Sequence, residues 1–211
     1  MLTVGPDPAV IEQMLADGLL QCPDCAGPLA RWGYVTKRFV RIAAGAVEKI
    51  RLRRAICALT DDGGCGRTHV LLPAFLLGRR LDVVEVIWSV LRACADGLGW
   101  RRLATLVDRP ASTVRGWVGR ARARAESIRD RFTQLEHVLV AADGDDMTRV
   151  APTGSGLGDA VAQIGVCLAA LRRARPTVWS AMSVAATVAV LSGGWLLGTR
   201  ALRPVVLRLP T

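Results

Sequence analysis

The sequence predicts a mainly α fold that carries a small β zinc ribbon. Three observations predict it: two cysteine pairs flanking alternating, strand-like segments; a trio of short amphipathic helical segments around a turn; and a C-terminal third of helix-forming apolar residues. At 211 residues and 51% hydrophobic, the chain can bury a core, which excludes a disordered protein. The organisation read from it is an N-terminal segment over 1–19, a ribbon over 20–72, a trihelical helix-turn-helix with an extended recognition helix over 79–140, a linker over 141–158, and a helical module over 159–211.

Charge narrows the function classes. The chain has 28 basic against 18 acidic residues, and only Lys37 and Lys49 are lysines. The excess is concentrated: residues 31–54 hold eight basic side chains and one acidic, and residues 100–131 hold nine and three. Two arginine-rich blocks on an otherwise slightly acidic chain are the footprint of a phosphate-bearing partner, because guanidinium groups bind planar anions bidentately.

The ribbon rests on cysteine spacing. Cys22-Pro23-Asp24-Cys25 is followed by Cys57 and Cys65 in a C-x2-C-x31-C-x7-C pattern. A redox CxxC is expected to open a helix after a strand. Here Gly27-Pro28 and alternating residues follow, and the N-terminus lacks the layout of a signal peptide, so reduced thiols in a cytoplasmic protein are expected. Between the pairs, "YVTKRFVRI" and "EKIRLRRAIC" read as two strands around a turn at 43–46, with Ile50 and Leu52 on one face and Lys49, Arg51 and Arg53 on the other. A hairpin with a cysteine pair at each end suits one structural Zn2+, held by Cys22, Cys25, Cys57 and Cys65, in place of a core too small to form alone. The wide gap from Cys57 to Cys65, with Asp61-Asp62-Gly63-Gly64 as an insertion, leaves open whether His69 replaces Cys57 as a ligand. Cys94 and Cys167 fall in apolar helical stretches and read as core thiols.

The helix-turn-helix rests on periodicity. Residues 81–95 place Val83, Ile87, Val90, Leu91 and Cys94 on one face, and Gly97 and Gly99 end that helix. Trp100, Leu103, Ala104 and Val107 follow at helical spacing, then Asp108-Arg109-Pro110, with Pro110 suited to the first turn of the next helix. The third segment buries Val114, Trp117 and Val118. Its exposed first turns put Ala111, Ser112, Arg115 and Gly116 toward base edges, while Arg109, Arg120, Arg122 and Arg124, with Lys49, Arg51 and Arg53 on the ribbon, are placed for phosphates.

The stretch "RRLATLVDRPASTVRGWVGR" resembles the DNA-binding units of bacterial transposases, resolvases and regulators, with Asp108 where those units usually carry Gly. Asp is among the residues that tolerate a left-handed backbone. A cysteine ribbon followed by "THVLLPAFLL" and this unit resembles a bacterial zinc-ribbon plus helix-turn-helix family linked to mobile elements, and the N-terminal region of zinc-ribbon transposases. The resemblance covers roughly residues 20–140. It implies sequence-specific binding of double-stranded DNA, in a transposition-associated or transcription-regulating role, with a separate transposase or recombination protein as a partner and a nucleoid-associated location. In such transposases an RNase H-like domain with three carboxylates follows. Here Asp143, Asp145 and Asp146 sit together in a loop and strand alternation is missing, so catalysis does not carry over and no enzyme is expected. The other classes left open are a non-catalytic transposase remnant, a ribbon that recruits protein or RNA, and a membrane-tethered regulator.

Two further expectations concern assembly and the membrane. Val114, Val118, Ala121, Ala125, Ile128, Phe132, Leu135 and Leu139 form a heptad stripe on one continuous helix, able either to join two subunits as a homodimer through 114–139 or to pack against the chain's own C-terminal helices. Residues 159–174 and 177–197 read as two more helices. The uncharged stretch 177–199, flanked by Arg172, Arg173 and Arg175 and by Arg200 and Arg203, is long enough to span a bilayer. Its Ala, Ser, Gly and Thr content favours a buried helix instead.

Overall fold

The computed structural model describes residues 1–42, 45–59, 64–143, 146–179 and 181–198. Its architecture is mixed α/β rather than mainly α. The elements run β1 (Leu2–Val4), α1 (Pro8–Ala16), β2 (Leu29–Tyr34), β3 (Arg38–Arg41), β4 (Val47–Ile50), β5 (Arg53–Cys57), β6 (Thr68–Pro73), α2 (Val84–Ala95), α3 (Trp100–Leu106), α4 (Ala111–Ala123), α5 (Ala125–Asp143), α6 (Gly156–Ala174), α7 (Pro176–Trp179) and α8 (Val184–Leu191). The additional strand content comes from β1 and β6. Both are short apolar runs, of the kind periodicity cannot assign.

The second expected ribbon strand, 48–57, folds as β4 and β5, while the first, 34–42, gives β3 and only the last residue of β2, which starts earlier at Leu29. β2 pairs antiparallel with β5, Leu29 opposite Cys57 and Tyr34 opposite Arg53, with a register shift between Arg31 and Gly33. β3 pairs with β4, Phe39 opposite Lys49 and Val40 opposite Glu48. The Val35 N–H donates to the Leu52 carbonyl at 2.9 Å between the two ladders, so the four strands form one long, kinked hairpin. Its tip keeps an Ile42 N–H to Ala46 carbonyl bond of 2.9 Å, and Ala43 and Ala44 of the expected turn lie outside the described residues. β5 also pairs with β6, and β6 with β1 in parallel, giving the sheet order β1-β6-β5-β2. The N-terminal segment is thus part of the ribbon sheet. Asp7 caps α1 by accepting the Ala9 N–H at 2.8 Å, and Ile11 and Leu15 of α1 join Val4, Leu20, Leu29, Ala55 and Leu71 in a small core around Cys22 and Cys57.

A larger core belongs to the helices. α2 buries Val84, Val86, Ile87, Trp88, Val90, Leu91 and Cys94, and packs against α3, α4, α6 and α8. The ribbon joins this body through the hairpin: Val40 and Leu52 are in the helical core, the Arg41 N–H donates to the Leu81 carbonyl at 2.7 Å, and the Val83 N–H donates to the Arg41 carbonyl at 3.1 Å.

The expected continuous helix through the heptad stripe breaks at Arg124, where φ is −115°. Val114, Val118, Ala121, Ala125, Ile128, Phe132, Leu135 and Leu139 are all buried within the single chain. Those of α5 lie in the helical core together with Leu157, Ala160, Ile164, Cys167, Leu168 and Leu171 of α6, and α5 and α6 pack along each other. Of the stripe that the sequence allowed as a homodimer seam through 114–139, the α5 part packs on the chain's own α6 and the α4 part on α3 and α2. Ile128→Ala is expected to cost about 2–4 kcal/mol in denaturant unfolding, with a midpoint independent of protein concentration. A midpoint that falls on dilution would show the stripe to be an intersubunit surface.

The expected helix over 177–197 is two short ones. Ser183 caps α8 by accepting the Ala186 N–H at 3.1 Å, and Gly193 and Gly194, with φ of 60° and 74°, end it. α8 is buried through Ala185, Val188, Ala189 and Leu191. Among the described residues, no helix is long and apolar enough to cross a membrane. Arg200 and Arg203, which flanked the expected span, lie outside the described residues, as do Asp61, Asp62 and Gly63 of the ribbon insertion and Asp145.

Candidate metal centre and basic helix face

Two knuckles deliver the cysteines. In the first, the Cys22 N–H donates to the Gly27 carbonyl at 2.8 Å and the Ala26 N–H to the Cys22 carbonyl at 2.9 Å. The turn holds Ala26 at φ 63°, a conformation a non-glycine residue adopts at some cost. In the second, Cys57 ends β5, its N–H donating to the Arg67 carbonyl at 2.8 Å, and the Cys65 N–H points at Cys57 Sγ at 3.4 Å. Pairing of β2 with β5 sets Leu29 opposite Cys57, which brings the two knuckles to the same end of the hairpin.

The four sulfurs of Cys22, Cys25, Cys57 and Cys65 lie within 4.8 Å of one another. Cys22 Sγ is 3.6 Å from Cys65 Sγ, and Cys25 Sγ is 3.4 Å from Cys57 Sγ. Thiolates held at about 2.3 Å by a tetrahedral Zn2+ stand about 3.8 Å apart, so this donor set fits such an ion with little movement. The cluster could hold a metal ion. The Cys25 thiol is drawn down to about 7, first by the backbone N–H of Gly27 and then by the Cys57 and Cys65 thiols. Cys57 is pulled down by the Cys65 N–H, but burial and the other thiols outweigh it and push the group up to about 12. Binding a dication would require these cysteines to be deprotonated, so metal affinity would fall as the pH falls.

His69 is buried beside the cluster, its Nε2 3.3 Å from Cys22 Sγ and its Nδ1 3.5 Å from the N-terminal amine. It also groups with Cys22 and Asp24 as a lesser ligand set. Cys57 stands among the four clustered sulfurs, and His69 lies within hydrogen-bonding distance of Cys22 at the edge of that cluster. Asp24 pairs with Arg67 at 3.2 Å, tying the two knuckles together.

The second group of candidate residues lies on α3 and α4. α3 buries Leu103 and Ala104, and α4 buries Val114, Trp117, Val118 and Ala121. Between them the Asp108 N–H donates to the Thr105 carbonyl at 3.2 Å and the Arg109 N–H to the Ala104 carbonyl at 3.0 Å, with Asp108 at φ 49°. The left-handed conformation expected of Asp108 is present. Pro110 precedes the first helical residue, Ala111, instead of opening the helix.

Ala111, Ser112 and Arg115 are exposed on the first turns of α4, and Gly116 is half-buried beside the Arg120 side chain. Arg120 and Arg122 are exposed, the latter 3.6 Å from Cys94 Sγ. Lys49 and Arg51 are exposed on the ribbon, whereas Arg53 is half-buried and pairs with Glu12 at 2.9 Å. Arg124 donates to the Gly198 carbonyl, and burial lowers its pKa.

Arg109 departs most from expectation. It is 7% exposed, its Nε is 2.5 Å from Asp82 Oδ1, and its two terminal nitrogens donate to the carbonyls of Val107, Asp108 and Ile42 at 3.2, 2.9 and 2.8 Å. It is a pin between the α3–α4 turn and the ribbon hairpin, and is not placed for phosphate. Sequence reading passed over Arg101 and Arg102, both exposed on α3. Arg101 and Arg115 flank the Trp100 ring at 4.8 and 6.0 Å from its centroid. The signal available was their position on the polar side of the Trp100, Leu103 and Ala104 face.

Fold and site together define a mixed α/β protein with a four-cysteine β ribbon that could hold a metal ion. Residues 22–117 match the model of a family described as a domain of unknown function (DUF6431). The match opens at the first cysteine and closes at the buried Trp117 of α4, and so takes in the ribbon, α2, α3 and the first turns of α4. No curated protein and no solved structure is significantly similar to the chain.

Proposed function

We propose that the chain binds double-stranded DNA sequence-specifically through a helix-turn-helix made by α3, the Asp108 turn and α4, with α4 as the recognition helix in the major groove. The observation that carries this reading is the surface of those two helices. Arg101, Arg102, Arg115, Arg120 and Arg122 are exposed there, and Asp108 is the only acidic residue between Trp100 and Ala123. A bare basic helix would serve any polyanion. Support for base reading comes from the first turns of α4, where Ala111 and Ser112 are small enough to approach a groove floor and Arg115 can reach a guanine O6/N7 pair.

On this reading the ribbon's ion is a structural Zn2+, since four thiolates in a closed knuckle pair favour zinc and leave no open position for chemistry. The protein is a non-catalytic DNA-binding component, a transcriptional regulator or a partner of a separate transposase, as the resemblance to zinc-ribbon transposases suggests.

Two substitutions separate base reading from charge. Arg115→Ala is expected to cost about 1–3 kcal/mol on the preferred duplex and to relax the preference at one base pair. Arg122→Ala is expected to weaken specific and random duplexes alike, and to flatten the slope of log K against log[salt] by about one unit. If both variants lower specific and random binding by the same factor, α4 is an electrostatic clamp and the major-groove assignment fails.

A further inference from the structure

The outer face of the ribbon hairpin carries two exposed aromatic rings for which duplex recognition has no use. Tyr34 and Phe39 are 49% and 57% exposed, although large aromatic side chains are ordinarily drawn into a core. Cations lie over both rings. Lys49 Nζ is 5.5 Å from the Phe39 centroid, and the guanidinium groups of Arg51 and Arg53 are 5.0 and 4.6 Å from that of Tyr34. Lys49 of β4, Arg51 between the two strands and Arg53 of β5 each lie over one of these rings, while Leu52 is buried in the helical core. The hairpin therefore turns its aliphatic side to the protein and its aromatic and cationic side to solvent. Cross-strand pairs would account for one such ring. Two exposed rings, Phe39 with one cation over it and Tyr34 with two, within a block of eight basic residues and one acidic residue over 31–54, are arranged for a ligand with flat faces and a negative backbone.

We propose that this face binds single-stranded DNA, with unpaired bases stacking on Tyr34 and Phe39 and the backbone phosphates paired with Lys49 and Arg51. Base stacking on aromatic rings combined with basic side chains along the strand is the general physical basis of sequence-tolerant single-strand binding. In a duplex the bases are stacked on one another and unavailable to these rings, so the site is specific for melted or frayed DNA. It does not depend on the duplex reading of α4: Lys49 and Arg51 can serve phosphates of either ligand, but the rings Tyr34 and Phe39, and the test built on them, are separate.

The test is fluorescence anisotropy of the full, zinc-loaded chain with a labelled oligo-dT strand and, in parallel, with a blunt random duplex. Tyr34→Leu and Phe39→Leu keep apolar bulk and remove the ring. Each is expected to weaken oligo-dT binding about tenfold while changing duplex binding less than twofold, and Tyr34→Trp is expected to restore it. Crosslinking of a 5-bromouracil strand to the wild-type chain reports the site without any substitution, and the crosslinked peptides are expected to contain Tyr34 or Phe39. The assignment is overturned by oligo-dT binding that the leucine variants leave unchanged, by crosslinks confined to α3 and α4, or by tighter binding to oligo-rU than to oligo-dT, which would make the face an RNA site. Loss of duplex binding with oligo-dT binding intact would count against the α4 reading alone.

Discussion

Removing the metal, by chelation or by Cys57→Ser, is expected to unfold the ribbon. Among the described residues, the small buried core beneath it comprises Val4, Ile11, Leu15, Leu20, Leu29, Ala55 and Leu71 with Cys22 and Cys57, and two of those nine residues belong to the cysteine cluster itself. A core of that size cannot offset the ordering entropy of some seventy residues at about 1–2 kcal/mol each for the backbone alone. Structural zinc in small modules supplies apparent binding energies of about 10–16 kcal/mol, which is folding energy for the segment that holds it. The helical body has its own core, so the expected result is partial unfolding: loss of ribbon protection in hydrogen exchange, with α5 and α6 still protected. Elemental analysis of protein prepared under reducing, chelator-free conditions should find about one zinc per chain. No metal in such a preparation, with the ribbon protected, would contradict the assignment.

Arg109→Ala is expected to cost about 3–5 kcal/mol, because it strands the Asp82 carboxylate, 4% exposed, without its counter-charge. The Ile42 carbonyl also loses its 2.8 Å donor. The loss should be greatest around the Arg109–Asp82 pair, and it should appear as early hydrogen exchange at Arg41 and Val83, whose N–H groups bond between the hairpin and the segment that carries Asp82. Pairing Arg109→Met with Asp82→Leu should recover much of the stability, since replacing both charges leaves neither buried alone. A single variant within about 0.5 kcal/mol of the wild type would show that Arg109 is not the pin the geometry describes.

Much of this was legible in the sequence, for reasons that differ from element to element. Cysteine spacing and flanking strands brought Cys22, Cys25, Cys57 and Cys65 together because a hairpin returns the chain to its own start. Helical periodicity located α2, α3 and α4 within a few residues, and Asp108 stood in the left-handed position its side chain tolerates. What was hidden depended on long-range contact. Leu2–Val4 becomes a strand only because β6 lies beside it. Arg109 looked like a phosphate ligand because nothing near it in sequence announces Asp82 or the Ile42 carbonyl. A heptad stripe has the same pattern whether its partner is α6 or a second chain. The C-terminal apolar run read as one helix because Ser183 and Gly193-Gly194, which delimit α8, are residues that long apolar helices also contain.

The central claim is that α4 reads DNA sequence, and selection of bound sequences from a random duplex pool by the full, zinc-loaded chain tests it most directly. Enrichment of a short motif containing a guanine is expected, with that preference lost in Arg115→Ala. Recovery of an unenriched pool at a salt concentration where binding is still measurable would contradict it.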